Sequence, residues 1–119
     1  MPSRPDWESH VPDPRFLVVH DRVARLQHDG VPVGVLLVRL EPYARLLGGR
    51  LWWRRWEVED TLRCTTTIHG RTEDHLTHHD RLEGELRDLQ RGLFRYRGDV
   101  LTVDWVEGPA ADSIRADLA

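Results

Sequence analysis

From Asp13 onward the apolar residues fall into blocks whose spacing changes along the chain. Phe16, Val19, Val23 and Leu26 recur at steps of three and four. With Asp13 as N-cap, Pro14 in the first helical position and Asp29-Gly30 as a stop, this spacing predicts a first helix. Val33 to Leu40 is β-branched and leucine-rich between Pro32 and Glu41-Pro42, the pattern of a largely buried strand. Tyr43 to Gly49 reads as a connection with room for one helical turn.

Leu51 to Val58 and Thr61 to His69 are runs of Trp, Val, Thr and Ile separated by Glu59-Asp60, which predicts an antiparallel hairpin. Strand alternation puts Trp52, Trp56, Val58, Leu62, Cys64, Thr66 and Ile68 on a core face. Leu51, Trp53, Arg55, Glu57, Arg63, Thr65, Thr67 and His69 then share the other face. Thr72 reads as the cap of a second helix, with Glu73 and Asp74 in its first turn, Arg87 and Arg91 in its last, and Gly92 as its stop. Its apolar stripe is Leu82, Leu86, Leu89 and Leu93, continued backwards by His75 and His79. Phe94 to Arg97 and Val100 to Val106 flank Gly98-Asp99 as a second hairpin, and Pro109 to Leu118 reads as a short terminal helix. The expected order is α-β-β-β-α-β-β with a final helix: an α+β domain whose antiparallel sheet carries two helices packed on one face.

Composition narrows the function classes. The chain has 119 residues, with 17 basic and 20 acidic side chains, and every basic residue is Arg. That length suits one domain, here residues 13–119, preceded by a Pro-rich arm at residues 1–12 that reads as flexible. A formal charge of -3 gives no global attraction to nucleic acid or to an anionic membrane. The longest apolar run, Val31 to Leu40, contains Pro and Gly and is about half of a bilayer span. The single Cys64 cannot form an internal disulfide, and the first residues lack the pattern of a secretory signal, so a cytoplasmic setting is expected.

Candidate chemistry is sparse. His75 and His79 are four apart, a spacing that lets two imidazoles on one helix face grip a metal, with His69 or Glu83 as further ligands. The HExxH order is absent, so the reading with no cofactor and no metal is preferred, and these histidines are assigned with Leu82, Leu86 and Leu89 to a dimer interface. A small His-dependent enzyme using His69, His75 and His79 is the alternative, and the chain leans away from being an enzyme. Cys64 falls on the core face, where a thiol acts as an apolar filler. Arg50 to Trp56 is dense in Trp and Arg, the residue types that dominate binding hot spots. The outward Trp53 and Arg55, with Arg39, Arg63 and His69 as neighbours on the same face, form the expected partner-binding surface. Single-stranded nucleic acid is a third, weaker reading of that surface, because its few guanidinium groups are interspersed with acids.

In element order the chain from Asp13 onward resembles the type III secretion chaperones, in which a helix, three strands, a second helix and a hairpin form a homodimer. The resemblance implies a dimer made through the second helix, here the stripe from His75 to Leu93, and an apolar surface that holds an extended segment of a client. The expectation is therefore a non-catalytic, dimeric module that binds another protein or an extended peptide, chaperone-like or as an accessory subunit of an enzyme.

Overall fold

The computed structural model describes residues 5–47, 55–78 and 80–119. Its elements are α1 (Pro14–Leu17), β1 (Arg22–His28), β2 (Val31–Leu47), β3 (Arg55–Ile68), β4 (Arg71–Thr77), α2 (Arg81–Gln90), β5 (Leu93–Tyr96), β6 (Asp99–Val106) and α3 (Pro109–Leu118). The strands form one antiparallel sheet in the order β4-β3-β2-β1-β6-β5. This is the α+β architecture the sequence implies. The sheet curls: β4 and β5 are its two edges, yet His75 of β4 lies edge-on to Phe94 and Tyr96 of β5, at 5.7 and 5.8 Å between ring centres.

Both faces of the central strands are buried, and that explains where the sequence pattern misled. On the inner face Ala24, Leu26, Leu36, Val38, Leu62, Cys64 and Ile68 pack with Phe16 of α1 and Leu82, Leu86 and Leu89 of α2. On the outer face Val23 and Leu37 pack with Ala111 and Leu118 of α3. A strand covered on both sides loses the simple apolar-polar alternation. In β1, Val23 and Ala24 are therefore both buried, and Val19, Val23 and Leu26 imitate a helical stripe. The first helix is one turn long. It is capped as expected, with the Asp13 side chain accepting from the Arg15 N–H and Pro14 at its start. Asp21, at φ 58°, turns the chain into β1.

Two further expectations give way for local reasons. Asp29-Gly30 and His69-Gly70 both have positive φ at each residue (51° and 80°, 51° and 78°), the backbone of the two-residue turns that suit twisted hairpins. The first joins β1 to β2, and the second joins β3 to β4. Residues 71–77 are thus a strand, and the second helix begins at Arg81, without the Thr72 cap. Its stop is as expected: Gly92, at φ 77°, donates to the Leu89 carbonyl at 3.0 Å. Glu59-Asp60 is no turn either. Both residues lie inside β3, which pairs with β2 without a break from Gly34↔Ile68 to Leu47↔Arg55. The expected connection at Tyr43 is in consequence strand as far as Leu47. Asp60 keeps its charge satisfied by accepting from the Asp13 N–H at 2.9 Å and standing 2.6 Å from His10 Nε2, which seats the N-terminal arm along β3. The β5–β6 hairpin and α3 stand where the sequence places them, the turn falling at Arg97-Gly98.

Beyond the body, residues 41–47 and 55–61 continue as a two-stranded ribbon, because β1 reaches only Val38 on β2 and β4 only Leu62 on β3. At the opposite end of β2, Gly34 passes so close to β3 that a Cβ would lie 2.0 Å from the Thr67 carbonyl oxygen.

Gly34→Ala is expected to destabilise the protein by about 3 kcal/mol or more, since the clash is with backbone that cannot rotate away. Leu89→Ala, which empties a fully buried site, should cost about 2–5 kcal/mol. Chemical denaturation of both variants measures these values.

Candidate functional site

Alternation along β2 and β3 brings Arg39 and Arg63 directly opposite each other, on the face away from the buried Leu40 and Leu62. Directly paired residues have Cβ atoms about 5 Å apart, and like charges at that distance oppose pairing. Glu41, one step along the same face, offsets this: its Oε2 is 3.1 Å from Arg63 Nε. The two groups are close enough for an ion pair but poorly aligned, so the buried Arg63 Nε has no directed hydrogen bond. Both side chains are more than a third exposed, and the pair contributes less than about 1 kcal/mol. Among the described residues Arg39 forms no ion pair.

The surroundings of this pair are mixed. Leu76 of β4 stands opposite Arg63 and is 50% exposed. Thr61, opposite Glu41, meets His78 Nδ1 at 3.2 Å, and the His78 ring lies 4.6 Å from that of Tyr43. Toward the β3–β4 turn the face becomes hydroxyl-rich, with Thr65 donating to the Asp74 carboxylate at 2.7 Å and Thr67 paired to Thr72 at 2.9 Å. α3 covers the neighbouring part of the face over Val23 and Leu37, leaving the patch from Arg39 to Leu76 open.

Of the residues expected on the partner-binding surface, the structure brings together Arg39 and Arg63. Trp53 lies outside the described residues, and Arg55 enters as the first residue of β3, opposite Leu47. His69 sits in the β3–β4 turn, six residues from Arg63, and a strand of that length spans about 20 Å. It does not join the patch.

The expected dimer interface is dismantled by the fold. Leu82, Leu86 and Leu89 are buried against the sheet of their own chain, so the stripe that was to meet a second copy is used up in the core. His75 is on β4 rather than α2 and lies opposite Cys64. Its Nε2 is 3.2 Å from Thr66 Oγ1, and its ring closes on Phe94 and Tyr96. Glu73, one step along the same face, is held by Arg71 and Arg97, so β4 and β5 are bridged by side chains where their backbones do not pair. His79 lies outside the described residues. The helical spacing behind the metal reading is absent from a strand, and among the described residues no three His, Cys, Asp or Glu side chains converge as a metal site.

Cys64 is fully buried, with Sγ 3.9 Å from Glu85 Oε1 of α2. Burial pushes its thiol up, and the neighbouring carboxylate adds to the effect. A nucleophilic cysteine needs the reverse, a positive and accessible setting. Glu85 is itself raised, first by burial and then by Asp88, with Cys64 and Arg95 acting in the opposite direction. Sequence reasoning passed over both Glu85 and the His10–Asp60 contact. The one available signal was an acid at a strand position that alternation assigns inward, as at Asp60.

In the folded protein Cys64 should be alkylated far more slowly than a free thiol and at the ordinary rate once unfolded; rapid native-state labelling would refute its placement. Glu85 binds its proton more tightly folded than unfolded. The stabilisation this gives is complete below its ordinary value of 4.5 and is lost as pH rises through the raised folded value. Glu85→Gln should therefore gain stability relative to wild type between acidic and neutral pH, read as a widening gap in denaturation midpoint. No family model matches the chain, and the comparisons with curated proteins and with solved structures give no match either.

Proposed function

We propose that the protein is a non-catalytic binding module that holds another protein or an extended peptide against the open outer face of its sheet. The observation that carries this reading is the Arg39–Arg63 pair. Two arginines stand opposite each other on neighbouring strands of the outer face, both half-buried, and the Glu41 carboxylate is paired with one of them, Arg63. That arrangement opposes pairing in the free protein and becomes favourable when carboxylates or backbone carbonyls of a partner are added, because each planar guanidinium can form two charge-assisted hydrogen bonds. Leu76, opposite Arg63, and Tyr43, four residues along β2 from Arg39, are both exposed and supply apolar area on the same face. A polar rim around apolar anchors is the usual anatomy of a protein interface.

The titratable groups of the interior serve the fold. The Cys64 thiol is stabilised against ionisation, and His75 holds the two sheet edges together. Trp53 and Arg55 remain part of the proposed contact on the strength of the sequence.

Arg39→Glu/Arg63→Glu should lower affinity for a protein captured from the native host by about a hundredfold, a loss of about 2.7 kcal/mol, while the circular dichroism spectrum stays unchanged. Retention of the partner by the folded double variant would contradict the reading. So would capture of nucleic acid alone, with an affinity that falls steeply with salt.

A further inference from the structure

The segment from His10 to His20 wraps the base of the ribbon. It starts on the β3 edge, where β4 has already ended at the Leu62↔Thr77 pair. There His10 Nε2 stands 2.6 Å from one oxygen of Asp60, and the Asp13 N–H donates to the other at 2.9 Å. The chain then crosses the inner face through Phe16 and Val19, both buried in the core. It finishes on the β2 edge, beyond the last β1 pair, where the Leu40 N–H donates to His20 Nδ1 at 2.9 Å. Leu40 pairs with Leu62, two residues from Asp60, so both holds fall where the sheet narrows to two strands.

The two ends are held by different forces. The His20 end follows side chains sealed in the core and opens only if the core does. The His10 end buries little apolar surface. Trp7 and Val11 of the arm are 49% and 81% exposed, and a cleft of about 310 Å³ lies between Asp6 and Val11 on one side and Trp56 and Val58 of β3 on the other. What holds this end is Asp60. Its side chain is only 10% exposed, on the face that also carries Leu62 and Cys64, and among the described residues the arm alone meets its carboxylate. A carboxylate so placed is costly without donors, so a charge, more than packing, draws the arm onto β3.

We infer that residues 5–13 form a releasable clasp, hinged at α1, that controls the order of the ribbon. Closed, it ties the β3 edge to α1 and through α1 to the core, and it gives residues 55–61 a neighbour where β4 is missing. Open, it leaves the ribbon as two strands paired only with each other among the described residues, a unit that is marginal by itself in water. Arm and ribbon therefore open together and without the body, as local units do below the free energy of global unfolding. The ribbon carries Tyr43 and Arg55, so the clasp governs how that part of the proposed contact is presented; to that extent the inference rests on the reading above, but the clasp itself is read without a partner.

NMR on the full chain tests this. The Leu40 N–H points away from β3, so Tyr43 and Arg45, with Glu57 and Glu59 opposite them, direct their N–H groups across the ribbon. In wild type the Asp13 amide and these four should exchange as one unit, with protection at least about a hundredfold below that of Leu36 to Val38. His10→Ala removes one of the two partners of the Asp60 carboxylate and should lower the protection of all five together by about tenfold. The heteronuclear NOE of the ribbon amides should fall in the same sample, while that of Leu36 to Val38 stays unchanged. Asp60→Asn, which leaves no charge to call for the arm, should act in the same direction, and His10→Ala decides alone if that variant fails to fold. Wild-type ribbon amides as protected as Leu36 to Val38 would overturn the inference. So would a folded His10→Ala variant in which Asp13 loses protection and the ribbon does not, or in which neither does. Failure of the Arg39–Arg63 contact would leave these exchange rates where they are.

Discussion

The structure depends on the uninterrupted pairing of β2 with β3, fourteen residue pairs from Gly34↔Ile68 to Leu47↔Arg55. At the Gly34 end the two backbones approach so closely that no side chain fits between them, which pins the register. A shift of one residue would turn Leu36, Val38, Leu62 and Cys64 outward, so the core on the inner face holds only in this register. From that pairing everything else is placed: β1 and β4 flank it, α2 closes the inner face, α3 covers part of the outer one, and the ribbon runs on beyond both neighbours.

The same constraint divides the chemistry of the molecule. On the inner face the Cys64 thiol meets Glu85 in the interior, and His75 lies across the curl of the sheet against Phe94 and Tyr96. Groups on the outer face are left to solvent where α3 ends. Arg39 and Arg63 are opposite each other because the register makes them so, and their mutual repulsion is small enough beside Glu41 for the fold to tolerate. The partner surface proposed above is built on that pair.

Much of the fold was legible in the sequence, and the misreadings share a cause. Val33 to Leu40, the Leu82-Leu86-Leu89 stripe, the last hairpin and the terminal helix each bury one well-defined face, or lie between strong turn and cap signals. β1 did not, because burial on both sides gave it a helical look, and its turn, Asp29-Gly30, serves equally as a helix stop. β4 was hidden by its charge: an edge strand carrying Arg71, Glu73, Asp74 and His75 reads locally as the first turns of a polar helix. Of the candidate site, alternation was enough to put Arg39 and Arg63 on one face. It could not show that His69 is carried off by a turn, nor that the leucine stripe faces inward, because both depend on which strands become neighbours.

Amide hydrogen exchange read by NMR, with backbone chemical shifts, tests the central claim most directly. Val23 to Leu26 should have strand shifts and exchange as slowly as Leu36 to Val38 and Leu62 to Thr66, since all belong to interior strands hydrogen-bonded on both sides. Helical shifts running from Pro14 through Leu26, or rapid exchange at Leu36 to Val38, would contradict it.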